Sequence, residues 1–161
     1  MQLSQVIEKS TRMKRLNVVS LKMVRERTLP YHSNIIRSPQ DIYNLAKEMR
    51  LPDEDREHCV VLALSTKNHV TAIHTLSIGN LNSSLVHPRE VFKVCILANA
   101  ASFVIMHNHP SNDPTFSPED IQLTQRLLKA AEILGIECLD HVVVTHDAYR
   151  SMREQDLMVI H

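Results

Sequence analysis

The stretch "HNHPSNDPTFSPED", residues 107 to 120, brings His107, His109, Ser117 and Asp120 within fourteen residues. Successive side chains of a strand point to opposite faces, so residues two apart share one. His107 and His109 end the apolar run "SFVIM", and both imidazoles can therefore aim at one point while Asn108 turns away. Zinc takes histidine nitrogens at about 2.0–2.1 Å and needs that convergence. Asp120 follows His109 by eleven residues, in the first turn of a helix opened by Ser117. Two imidazoles and a carboxylate leave a fourth tetrahedral position open, the pattern of a catalytic rather than a structural zinc site. The same residues have a plain structural account. Ser-Pro-Glu-Asp is a near capping box, with Asp120 reaching back to the Ser117 amide and both acids favoured by the helix dipole. Cap and metal compete for one carboxylate.

The elements that must position these residues follow from pattern. "VVSLKMVRERT" (18–28) alternates apolar and polar residues and predicts a half-exposed strand. "SPQDIYNLAKEMR" predicts a helix with Ser38 as N-cap and Pro39 at its first position, and with Ile42, Leu45, Ala46 and Met49 on one face. "EHCVVLALST" reads as a strand covered on both sides, "KN" as a two-residue turn, and "HVTAIHTLSIG" as its hairpin partner. "NLNSSLV" is a loop or short edge strand. "HPREVFKVCILANA" is a helix entered through His87 and Pro88, and "ASFVIMHNH" a buried strand. "SPEDIQLTQRLLKAAEILG" is the clearest helix, with Ser117 as N-cap and Gly135 ending it. "IECLDHVVVTH" is a last long strand and "DAYRSM" a turn into a tail. Strands alternating with helices, with one hairpin, imply a mixed sheet with helices packed on its faces.

At 161 residues the chain suits one domain with a real core. Lys+Arg and Asp+Glu both total 18, so there is no basic excess of the kind that marks a nucleic-acid binder. Cys59, Cys95 and Cys138 are odd in number, far apart and set among apolar residues, which argues against disulfides and against cysteine-ligated zinc. No apolar run approaches the roughly 18 residues that span a bilayer. The N-terminus is too charged for a secretory signal, so a cytoplasmic setting is expected.

"HNHPSNDPTFSPED" resembles the JAMM metalloprotease signature: His-x-His, ten residues, Asp, with a serine three before the Asp. More narrowly, "SLVHPREVFKVCILANAASFVIMHNHPS" and the residues beyond it to "LDHVVVT", together with "DREHCVVLALSTKNHV", are similar to the bacterial RadC family over roughly residues 55 to 150. The resemblance implies an α/β fold, a three-layer α/β/α sandwich of the cytidine-deaminase-like (JAB/MPN) type. It divides the chain into an N-terminal arm and strand, 1–37, and a zinc domain, 38–161. It further implies one zinc ion on His107, His109 and Asp120. Glu57 would be the general base acting on water, and Ser117 a hydrogen-bond donor to the tetrahedral oxyanion. The implied activity is that of a zinc-dependent peptidase or isopeptidase with a peptide or protein substrate. The alternative is a zinc-binding module associated with DNA repair and lacking hydrolase activity, although no helix-hairpin-helix segment is visible. Glu90 is a rival to Glu57, but a place in the first turn of a helix suffices to explain it. His141 reads as a satisfied core histidine in preference to a supporter of the site. The family's usual glycine after "HNHPS" is here Asn112, a residue that tolerates left-handed backbone.

Overall fold

The computed structural model describes residues 15–79 and 86–160. Helix α1 spans Pro39–Glu48 and is followed by a 3-10 turn at Leu51–Asp53. Strands β1 (His58–Leu64) and β2 (Val70–Ile78) form a hairpin, and α2 (Pro88–Leu97) leads into β3 (Ser102–Asn108). Helix α3 (Pro118–Leu134) crosses to β4 (Glu137–Val144), and β5 (Tyr149–Ser151) closes the sheet. The strand order is β2-β1-β3-β4-β5. Only the β3–β4 pair is parallel, so the sheet is mixed.

Alternation along the strands divides the core in two. Val60, Leu62, Leu64, Val104, Met106, Val142 and Val144 face α1, which buries Ile42, Leu45 and Ala46 against them. Cys59, Val61, Phe103, Ile105 and Cys138 face α2 and α3 and meet Val91, Phe92, Leu123 and Leu127. The expected three layers are present, and the central strands are apolar on both faces because both faces are covered. All three cysteines are buried and free. Among the described residues no helix is long and apolar enough to cross a membrane.

The helix starts follow their sequence signals. Ser38 accepts from the Asp41 amide, and the Asp41 carboxylate accepts back from Ser38, a complete capping box. Gly135 ends α3 at a φ of 66°, in the left-handed region.

Three sequence expectations need correction. Residues 18–28 form no strand: Val18 is 99% exposed and Leu21 80%, because no neighbouring strand supplies the pairing that alternation only permits. Contact with the core begins just beyond, where Leu29 and Tyr31 pack against it, Ile35 bridges His69 and Ile36 is buried. The hairpin turn is centred on Thr66 and Lys67, with the Asn68 amide donating to the Ser65 carbonyl and Asn68 itself at φ 58°. "DAYRSM" is not tail but carries β5, held because the Ser151 hydroxyl donates to buried Asp140. "NLNSSLV" falls mostly, and the first fourteen residues wholly, outside the described residues.

A Cβ added at Gly135 would meet nothing within 4 Å, so only backbone strain opposes a side chain there. Gly135→Ala is expected to lower unfolding free energy by about 1 kcal/mol, read from the denaturant midpoint. A neutral result would mean that the left-handed turn relaxes without cost.

Candidate metal centre

The site is built at the carboxyl end of β3, where open α/β sheets bind ligands. β1 runs antiparallel to β3 with Cys59 opposite His107. Carried two residues on, that register sets Glu57 opposite His109. The first turn of α3 returns over the same end and brings Ser117 and Asp120.

His107 Nε2 lies 2.9 Å from His109 Nε2 and 3.3 Å from Asp120 Oδ1. His109 Nε2 is 3.7 Å from Asp120 Oδ2. Ligands about 2.05 Å from one ion at tetrahedral angles stand about 3.3 Å apart. The three side chains thus gather ligand atoms within 4.8 Å of one another, a grouping that could hold a metal ion. His107 and Asp120 are buried, and His109 is half-buried at the mouth.

Asp120 does not have to choose between cap and metal. Its Oδ2 accepts from the Ser117 amide at 2.7 Å, while its own amide donates to Ser117 Oγ at 3.1 Å, which completes the capping box. Oδ1 is buried and makes no hydrogen bond. A buried carboxylate oxygen whose only near polar neighbour is an imidazole nitrogen at 3.3 Å calls for an explanation, and a cation between it and the two imidazoles would supply one. The competition expected from sequence is resolved by dividing the two oxygens. Burial works to raise the Asp120 pKa, but His107 and the Ser117 amide outweigh it and hold the carboxyl well below the usual range.

Glu57, His109, Ser111, Asp113, Thr115, Ser117 and Glu119 line one cleft of about 350 Å3. A larger hollow, about 640 Å3, lies at the other end of α3 near Gly135 and Glu137 and has no part in this chemistry. Ser117 Oγ accepts from Asp120, and a hydroxyl that accepts still has its own proton to donate. Glu90 is paired with Lys93 at 2.6 Å on the surface of α2, as its helix position predicts.

Sequence reasoning passed over Asn108. It is fully buried, and its Oδ1 accepts from the His58 amide at 2.7 Å. Its Nδ2 donates to the carbonyls of Arg56 at 2.9 Å and Glu54 at 3.4 Å. These bonds bracket Glu57, whose own carbonyl accepts from Gly79 at 2.8 Å. The signal was available: an amide on the face opposite the histidines, within an otherwise apolar strand, must find partners. His141 is likewise corrected. It is buried and satisfied as expected, but its Nε2 lies 2.8 Å from His107 Nδ1 and its Nδ1 lies 2.6 Å from Thr124 Oγ1. Burial, with His107 beside it, pushes its pKa down to about 3 and keeps the ring neutral.

Asn112 stands at φ 60°, the left-handed backbone expected of it. Its side chain also does what glycine cannot. Nδ2 donates to Asp147 at 2.7 Å and Oδ1 accepts from the His146 amide at 3.1 Å, clasping the loop after His109 to the β4–β5 turn.

A family model described as "RadC-like JAB domain" matches residues 36–157. A UPF0758 protein of Desulforamulus reducens is 53% identical over 124 residues, 77% of this chain and 54% of that protein. One from Desulfitobacterium hafniense is 53% identical over 125 residues, with the same coverage of each chain. One from Shouchella clausii is 50% identical over 121 residues, 75% of this chain and 52% of that protein. The chain spans about half the length of the curated relatives it matches.

Asn108→Ala strands the His58 amide and frees the segment carrying Glu57. A loss of about 1–3 kcal/mol is expected in chemical denaturation, the cost of leaving a buried donor unpaired. A loss under a few tenths would show that water replaces the amide.

Proposed function

Because this chain belongs to the RadC-like JAB domain family, we propose that it is a zinc-dependent hydrolase of the JAMM type, acting on a peptide or isopeptide bond. One observation carries the reading: His107, His109 and Asp120, whose buried Oδ1 makes no hydrogen bond, gather ligand atoms within 4.8 Å of one another beside a cleft lined by Glu57 and Ser117. The donor set fits zinc, which takes two imidazoles and a carboxylate in catalytic sites. When bound, zinc polarises the scissile carbonyl and makes water acidic enough to attack at neutral pH.

This chain's own side chains do the rest. Glu57 takes a proton from the attacking water and delivers it to the leaving amine, first as base and then as acid. Ser117, whose Oγ is fixed by its bond from the Asp120 amide, donates its hydroxyl proton to the oxygen that gains charge. Asn108 keeps Glu57 at the cleft through the backbone on either side of it. Asp120 and His107, both buried, exclude bulk water from the inner side of the site.

Elemental analysis of protein never exposed to chelator is expected to find about one zinc per chain in the parent and far less in His109→Ala. Glu57→Gln is expected to keep the zinc and to lower hydrolysis of any responsive peptide or isopeptide substrate by a factor of about 100 or more. A folded parent without zinc would remove the hydrolase reading, and a fully active Glu57→Gln would remove Glu57 from it.

A further inference from the structure

We propose that His141 and Thr124 are positioning residues that hold His107 in the one tautomer able to offer Nε2 to a cation. The proposal rests on the reading of His107, His109 and Asp120 as a zinc site. Its observations are the polarity and burial of a chain of hydrogen bonds behind that site.

The chain runs from His107 Nδ1 to His141 Nε2 at 2.8 Å, from His141 Nδ1 to Thr124 Oγ1 at 2.6 Å, and from Thr124 Oγ1 to the Asp120 carbonyl at 2.8 Å. His107, Thr124 and His141 are all buried, so each polar atom must be served within the chain. A carbonyl can only accept, so where the Thr124–Asp120 contact is a hydrogen bond, the Thr124 hydroxyl is its donor. Thr124 must then accept from His141 Nδ1–H. A neutral His141 has its Nε2 lone pair left, which accepts from His107 Nδ1–H. Neutral His107 is thereby left with a lone pair on Nε2, facing His109 and Asp120. With the opposite polarity, the hydroxyl turns to His141 and the Asp120 carbonyl loses it. His141 then donates to His107 Nδ1, and the His107 proton sits on Nε2, where a ligand needs a lone pair.

His109 is set by the same rule over a shorter path, because its Nδ1 lies 2.7 Å from the Asp113 carbonyl and must donate to it. The two ligands thus reach one tautomer by different means, His109 through its own loop and His107 through α3 and β4. Asp120 closes the circuit: its main-chain oxygen ends the relay, and its Oδ1 faces the imidazole that the relay orients.

The test uses zinc itself, titrated into the intact chain against a chromophoric chelator. Thr124→Val keeps the shape and removes the hydroxyl. It is expected to weaken zinc binding about 10- to 100-fold, the usual effect of losing a group that orients a ligand, with Thr124→Ser restoring it. Nitrogen-15 spectra of the zinc-loaded parent are expected to show His141 as the Nδ1–H tautomer, a signature that a merely space-filling histidine would not be bound to give. Unchanged affinity in Thr124→Val, or an Nε2–H His141 in the zinc-loaded parent, overturns this proposal alone. A parent that takes up no zinc overturns it together with the hydrolase reading.

Discussion

A β-strand must turn consecutive side chains to opposite faces, and the last residues of β3 put both directions to use. His107 enters the layer of α2 and α3, where His141 and the first turn of α3 wait for it. Asn108 enters the opposite side and grips the chain on either side of Glu57. His109, back on the first face but beyond the end of the strand, opens onto the cleft. A shift of one residue in the pairing of β1 with β3 would exchange these roles and bury an amide among the ligands. That register is held by Val60, Leu62 and Leu64 on one side and Cys59 and Val61 on the other, packed between helices that leave no room for slippage.

Local signals in the sequence foretold what local physics decides. Both N-caps, Ser38 and Ser117, and the capping box at Ser117 were readable because the residues that satisfy a helix start lie within four positions of it. So was the sharing of a face by His107 and His109. The left-handed place of Asn112 was anticipated by contrast with a glycine that the resemblance led one to expect. The chain alone could not show that Asp120 serves two masters with separate oxygens, since that depends on the angle at which α3 meets β3.

Longer-range facts were hidden for a different reason. Glu57 sits fifty-two positions before His109, and only the antiparallel pairing of β1 and β3 makes them neighbours. His141 and Thr124 meet across a strand and a helix, so each looked ordinary where it stood. Residues 18–28 erred the other way. Their alternation promised a strand, but a strand exists only with a partner, and among the described residues they have none. Periodicity states what a segment is able to do; the rest of the fold decides whether it does it.

The divided carboxylate of Asp120 joins two equilibria that are usually separate. The same side chain closes the first turn of α3 and completes the His107, His109 and Asp120 cluster, so fraying of residues 117–120 would dismantle that cluster in one step. Conversely, a cation that binds only the closed turn makes that opening harder by RT ln(1 + c/Kd), where c is its free concentration. The helix start would in this sense be a latch whose stiffness any occupant sets, and the order of the cleft beside it would depend on how much of that cation surrounds the protein.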